Sequence, residues 1–138
     1  MYFNRGPNAN ELNDIYVAPV SRQGEVLAAA VPVTELNDPI ATDAGAHVRA
    51  DGREIFFQSD RAGTLGLSDL YVSTRRNPHE PWSPPRNLGA PMNSALRDAH
   101  AYLSRDATIL IFSSDRPGGL GERDLWMSTR TVNGKEAP

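Results

Sequence analysis

The chain has 138 residues, a net charge of −3 and no cysteine. The length suits a single ordinary domain, and the missing cysteines exclude disulfides and thiolate metal sites. The 13 arginines and the single lysine are scattered, so we expect no basic face for nucleic acid. No apolar run approaches the roughly 20 residues of a membrane-spanning helix. The first ten residues, MYFNRGPNAN, lack the charged and apolar regions of a signal peptide.

In chain order, the sequence predicts short β-strands separated by turns. A proline-containing run comes first, at 30–36. Apolar runs follow at 46–48, 55–57 and 70–72, and a second proline-containing run lies at 82–88. Three further apolar runs follow at 101–103, 109–112 and 125–127. Glycine-rich connections, RAGTLGLS and RPGGLGER, indicate hairpin loops between second and third strands. Prolines suit the fourth strand, because an edge strand tolerates a missing N–H.

These strands belong to an internal repeat. The segments 51–75 and 106–130 align without a gap at a spacing of 55, and about half of their positions are identical. The tetrapeptides that begin at Asp14, Asp69 and Asp124 repeat that spacing. Four short antiparallel strands in about 55 residues are the pattern of a propeller blade. The predicted fold class is therefore all-β, with antiparallel four-stranded blades of a β-propeller, about two and a half in this chain.

The motifs of the repeat resemble the WD-like repeat of TolB-type propeller proteins, in the long-blade bacterial version. The resemblance is carried by Asp51-Gly52, by Ser-Asp-Arg at 59–61 and 114–116, by Asp69 and Asp124, and by the linking phrase NLGAPMNSALRDAH at 87–100. The chain departs from the pattern with Ala107 in place of glycine and with Arg5-Gly6 in place of Asp-Arg. The resemblance implies a binding surface rather than a reaction, and a periplasmic or extracellular location.

The predicted blades are unequal. Residues 1–36 supply an incomplete blade, 37–93 a complete one, and 94–138 another incomplete one. A blade buries its faces only against neighbours. We therefore expect open apolar faces and self-association, as a homodimer or a larger assembly. The alternative is a gene fragment of a longer propeller, without independent function.

The repeated polar residues are predicted to be structural, because a structural group is needed in every blade and a catalytic group once. Asp69 and Asp124 are placed to accept N–H bonds in the turn. Arg61 and Arg116 could brace that aspartate, or carbonyls, across the hairpin. The structural set is Asp60, Arg61, Asp69, Asp115, Arg116 and Asp124. Repeated aromatic residues, Tyr16, Tyr71 and Trp126, are predicted to be core, with sugar stacking as the alternative.

Ligand-binding candidates lie where the copies differ, in or just before the first strand, which lines the channel of a propeller. Under the spacing of 55, His47 matches Tyr102 and Gly45 matches His100. A histidine with a carboxylate could form an acid–base pair or a metal site, and the plainer interpretation is a satisfied polar contact. The candidates are Asp43, His47, Asp98, His100 and Tyr102. No metal and no cofactor is predicted.

Two classes of function follow. A non-enzymatic propeller module that binds protein or carbohydrate fits the repeated motifs, since neither a nucleophile elbow nor a phosphate loop occurs in the sequence. The alternative is a hydrolase, as a glycosidase- or peptidase-associated propeller. It would need acids and histidines at the channel mouth within hydrogen-bond reach of one another. We expect the binding module.

Overall fold

The computed structural model describes residues 1–6 and 12–131, and these contain ten β-strands in three antiparallel sheets. No helix occurs within the two described ranges, so none there could span a membrane. The predicted all-β antiparallel fold class is confirmed. The three sheets are open rather than closed on themselves, which is consistent with part of a propeller.

Each sheet follows chain order from one edge to the other. Sheet 1 contains β1 (Tyr2–Arg5), β2 (Asp14–Val17) and β3 (Val31–Pro32). Sheet 2 contains β4 (Asp43–Val48), β5 (Glu54–Ser59), β6 (Asp69–Thr74) and β7 (Arg86–Asn87). Sheet 3 contains β8 (Asp98–Leu103), β9 (Ile109–Ser114) and β10 (Asp124–Thr129). The bounds of β8, β9 and β10 therefore repeat those of β4, β5 and β6 at the spacing seen in the sequence.

Strand lengths differ from the sequence expectation in two respects. The proline-containing runs predicted at 30–36 and 82–88 form only the two-residue strands β3 and β7, because prolines in these runs lack the N–H that a longer ladder needs. The first strands β4 and β8 begin three residues before the predicted 46–48 and 101–103. A β-bulge interrupts each of them, and it contains Gly45 at φ 66° and His100 at φ 52°.

Sheet 2 lies between the other two, so both of its faces are buried. Alternating side chains of β5 separate the two cores: Phe56 packs towards sheet 3, while Ile55 and Phe57 pack towards sheet 1. The core between sheets 1 and 2 contains Ile15, Val33, Leu36, Ile55, Phe57, Tyr71 and Trp82. The core between sheets 2 and 3 contains Phe56, Leu70, Val72, Ala101, Leu103, Ala107, Leu110 and Phe112.

A polar contact also joins sheets 2 and 3. Arg130, directly after β10, donates two hydrogen bonds to the Glu54 carboxylate, at 2.8 and 2.6 Å. The paired geometry makes this contact more directional than a single ion pair. It fixes the far end of β10 against the start of β5.

Candidate functional site

Asp43, one of the ligand-binding candidates, is completely buried at the start of β4. Its carboxylate accepts a hydrogen bond from the Arg61 guanidinium at 2.5 Å and another from the backbone N–H of Asp38 at 2.6 Å. The first bond follows from register, because Asp43 stands opposite Ser59 in the β4–β5 ladder, two residues before Arg61. The segments between sheets, 33–42 into sheet 2 and 88–97 into sheet 3, are called linkers. The carboxylate therefore joins the linker into sheet 2 to the end of β5.

Asp98 repeats this arrangement at the start of β8. It is also completely buried, and it accepts hydrogen bonds from Arg116 at 2.7 Å and from the backbone N–H of Ser94 at 2.6 Å. Burial acts to raise the pKa of Asp98, but hydrogen bonds from Ser114, Arg116 and Ser94 outweigh it and hold the pKa below its ordinary value. The carboxylate is thus kept charged by its partners. Asp43 and Asp98 are equivalent positions of the repeat, a relation that could have been read from the sequence.

The Ser-Asp-Arg motif holds its arginine in a fixed pose. The hydroxyl of Ser59 accepts hydrogen bonds from the backbone N–H and the Nε–H of Arg61. The guanidinium donates to the carbonyl of Leu36 and lies over the rings of Phe57 and Tyr71. Of the partners suggested by the sequence, a carbonyl is present, and the carboxylate is Asp43 rather than Asp69. In sheet 3, Arg116 makes the equivalent contacts with Ser114, Asp98 and the carbonyl of Met92.

The remaining motif aspartates hold turns and loops. Asp69 accepts hydrogen bonds from the N–H of Leu65 in the glycine-rich loop, at 2.8 Å, and from the side chain of Asn87, at 2.7 Å. Asp124 accepts one from the N–H of Gly121. Asp60 accepts one from the N–H of Thr42, and Asp115 pairs with Arg123 near the surface.

The aromatic residues of the repeat take part in packing. Tyr71 is buried in the core between sheets 1 and 2. Tyr16 stacks on Phe3 in sheet 1, as Tyr71 stacks on Phe57 in sheet 2. Trp126 packs, partly buried, against the core between sheets 2 and 3. All three side chains therefore pack against neighbouring side chains of the sheets, as the sequence predicts.

The histidine candidates and Tyr102 lie on the first strands β4 and β8, and we call these three residues the inner strip. The rings of His47 and Tyr102 contact each other with centroids 4.4 Å apart, and Tyr102 is 58% exposed. His100 is exposed, and its ring lies 3.3 Å from the Ser113 hydroxyl. Burial lowers the pKa of His47, while a hydrogen bond with the backbone of Leu103 acts in the opposite direction. Within the described ranges neither Asp43 nor Asp98 pairs with a histidine. An arginine binds the Oδ1 of each, and a backbone N–H of the preceding linker binds the Oδ2.

A polar cleft of about 230 Å³ lies beside this strip, between sheet 2 and the linker into sheet 3. Its charged groups are Asp60 and Arg97, and its amide is Gln58, whose side chain also accepts the backbone N–H of His100 at 3.0 Å. The cleft is lined by Thr42, Gln58, Asp60, Leu67, Ser68 and Arg97. Sequence reasoning missed Gln58 and Arg97. Gln58 could have been found as a point of difference between copies, because Ser113 takes its place in the second copy.

Within the described ranges, histidine, aspartate and glutamate side chains form no group of three or more that could hold a metal ion. No protein-family model matches the chain, and no curated protein matches it either. The resemblance to TolB-type propellers therefore depends on the motif residues themselves.

Proposed function

We propose that the chain is a non-enzymatic binding or scaffold module of the β-propeller type, with a TolB-like repeat and a protein or carbohydrate ligand. The ligand binds at the polar cleft and the inner strip. The observation that carries this proposal is a cleft that contains a carboxylate, a guanidinium and an amide, together with the exposed ring of Tyr102. Tyr102 stands two residues after His100, whose backbone bonds to the Gln58 amide of the cleft. A concave site with a few convergent polar groups is the usual form of a binding site.

The chemistry of the cleft favours a carbohydrate over a peptide. Asp60, Arg97 and Gln58 present planar groups with at least two polar atoms each, and such groups can bind adjacent hydroxyls in pairs. Tyr102 offers an aromatic face to the apolar side of a sugar ring. His100 connects the two parts, because its backbone bonds to Gln58.

A hydrolase is less well supported. Glycoside cleavage of the usual kind needs two carboxylates on either side of the bond. Asp43 and Asp98 are closed to solvent and held by arginines, and Asp60 is the one carboxylate among the described residues that line the cleft. The described lining of the cleft therefore offers polar groups that could bind a ligand, without a matched pair of acids.

Self-association through open faces belongs to the same proposal. The stacked pair Phe3 and Tyr16 lies on the face of sheet 1 that points away from sheet 2, because Ile15 and Val17 occupy the opposite face. Two copies of this face would form a homodimer with a self-complementary interface. Light scattering measures the oligomeric state of the chain and of the Tyr16→Asp variant. A chain that is monomeric at micromolar concentration would argue against the homodimer.

The ligand proposal is tested by screening the folded chain against a glycan array and a peptide library, followed by titration calorimetry. Arg97→Ala and Tyr102→Ala should each weaken binding at least about tenfold, which corresponds to about 1.4 kcal/mol. Arg86→Ala, at an exposed arginine of β7, is the matched control and should bind normally. Peptide binding with the same dependence would identify a protein ligand. A ligand affinity that is unchanged in both variants would contradict the proposed site.

A further inference from the structure

An asparagine from each linker holds the preceding sheet at the same place. In sheet 1, the N–H of Ile15 donates to the Asn37 side chain at 2.8 Å, and that side chain donates back to the Ile15 carbonyl at 3.0 Å. In sheet 2, Leu70 and Asn93 make the same two bonds, at 2.8 and 3.0 Å. A side-chain amide thus pairs with a backbone residue as another strand would. We call this contact the asparagine bracket.

A backbone bond accompanies each bracket. The carbonyl of Asn13 accepts the N–H of Asp43 at 2.7 Å, and the carbonyl of Ser68 accepts the N–H of Asp98 at 2.9 Å. Asn13 and Ser68 are equivalent positions of the repeat, as are Asp43 and Asp98. Each linker therefore meets the preceding sheet through three defined hydrogen bonds, two from its asparagine and one from the start of its first strand.

Sheet 3 presents the same surface without a cover in the described part of the chain. Phe56, Leu70 and Val72 of sheet 2 are 3%, 0% and 5% exposed beneath sheet 3. Their counterparts in the next copy of the repeat are 39%, 78% and 65% exposed, namely Ile111, Leu125 and Met127. We call these three side chains the open face of sheet 3.

The loop beside the open face repeats the pattern. Gly66 lies so close to the backbone of Leu96 in the next linker that a side chain there would overlap it. At Gly121, its counterpart, a side chain would meet no atom of the described residues within 4 Å. Leu125 stands opposite Ser113 as Leu70 stands opposite Gln58, so its N–H and C=O point towards the edge away from β9.

We propose that the open face of sheet 3 binds one further linker and first strand of the same repeat type. The occupant is an extended segment with Leu or Met before Asn, then Asp or Ser, then Asp-Ala four or five residues later, as in 36–44 and 92–99. Its asparagine brackets Leu125, its first-strand N–H bonds to the carbonyl of Arg123, and its apolar side chains cover Leu125 and Met127. This proposal is independent of the polar cleft.

The probe is a synthetic peptide with the sequence of residues 89–103, GAPMNSALRDAHAYL. Fluorescence anisotropy should show saturable binding of this peptide to the full chain, with a Kd below about 1 mM. A matched peptide in which alanine replaces the residue equivalent to Asn93 should bind at least about tenfold more weakly. Hydrogen exchange should show new protection of the Leu125 amide with the first peptide, which non-specific apolar contact would not produce.

Variants of the chain separate this face from other surfaces. Leu125→Asp and Met127→Lys should each abolish peptide binding, and circular dichroism checks that both remain folded. Ile40→Asp is the matched control, because Ile40 is 82% exposed and lies in a linker. It should bind the peptide normally, as should Arg97→Ala in the polar cleft.

Three outcomes would overturn the proposal. The first is an absence of saturable binding by a folded chain, and the second is equal binding of the two peptides. The third is a dimer that Leu125→Asp converts to a monomer while the peptide still fails to bind, because a second copy would then be the occupant of this face.

Discussion

Sheets 2 and 3 share most of their sequence motifs, yet one pair of equivalent faces differs in burial. Sheet 3 covers this face of sheet 2, and no described residue covers the same face of sheet 3. Leu70 is fully buried and Leu125 is 78% exposed, although both follow an aspartate at the start of a third strand. The backbone register of the two sheets is identical. Local sequence therefore determines the strand and its turn, whereas the neighbouring sheet determines how much a side chain contributes to stability.

The largest expected effect concerns a part in which the two sheets are alike. Asp43→Ala and Asp98→Ala should each lower the free energy of unfolding by roughly 3–5 kcal/mol, because each leaves an arginine without its buried carboxylate. Chemical denaturation monitored by circular dichroism measures both. Asp115→Ala breaks the exposed pair with Arg123 and should change the midpoint little.

Unequal losses in the free energy of unfolding of Asp43→Ala and Asp98→Ala would contradict the equivalence of the two sheets. The two ion pairs would then depend on their position in the stack of sheets rather than on the shared motif.

A second pair of variants tests the part in which the sheets differ. Leu70→Ala should lower the free energy of unfolding by roughly 2–5 kcal/mol, since it opens a cavity in the core between sheets 2 and 3. Leu125→Ala removes a mostly exposed side chain and should change it by less than about 0.5 kcal/mol. Thermal and urea unfolding of the two variants give the values. A large loss for Leu125→Ala in the isolated chain would mean that the open face of sheet 3 is covered in solution.

Much of the fold could be predicted from the sequence because the repeat is nearly exact where backbone geometry is decided. The Ser-Asp-Arg phrases lie at the ends of β5 and β9, and the aspartates after the glycine-rich loops begin β6 and β10. The first strands were harder to predict. Each has a bulge near its start, so the apolar pattern is visible only in its second half.

The candidate site was less accessible to sequence reasoning, because its residues come from separate elements. Gln58 lies in β5 and Arg97 in the linker before β8, and only the packing of sheets 2 and 3 brings them together. The partner of Arg61 shows the same difficulty. Asp69 is nearer in sequence, but the β4–β5 register places Asp43 beside the guanidinium.

The smallest expected effect concerns a turn in which the sheets differ by one methyl group. Gly52 and Ala107 have φ of 71° and 64°, and the carbonyl of each accepts a hydrogen bond from an arginine Nε–H at 2.7 Å. Gly52→Ala should cost roughly 1–2 kcal/mol, because a side chain is strained at this φ and its Cβ would lie 3.1 Å from Pro78. Ala107→Gly relieves the same strain of roughly 1 kcal/mol but removes a fully buried methyl group of about 0.8 kcal/mol. Its unfolding midpoint should therefore stay close to that of the parent chain. A strongly stabilised Ala107→Gly would show that strain exceeds packing at this turn, and a strongly destabilised one would show that the buried methyl group is what sheet 3 requires there.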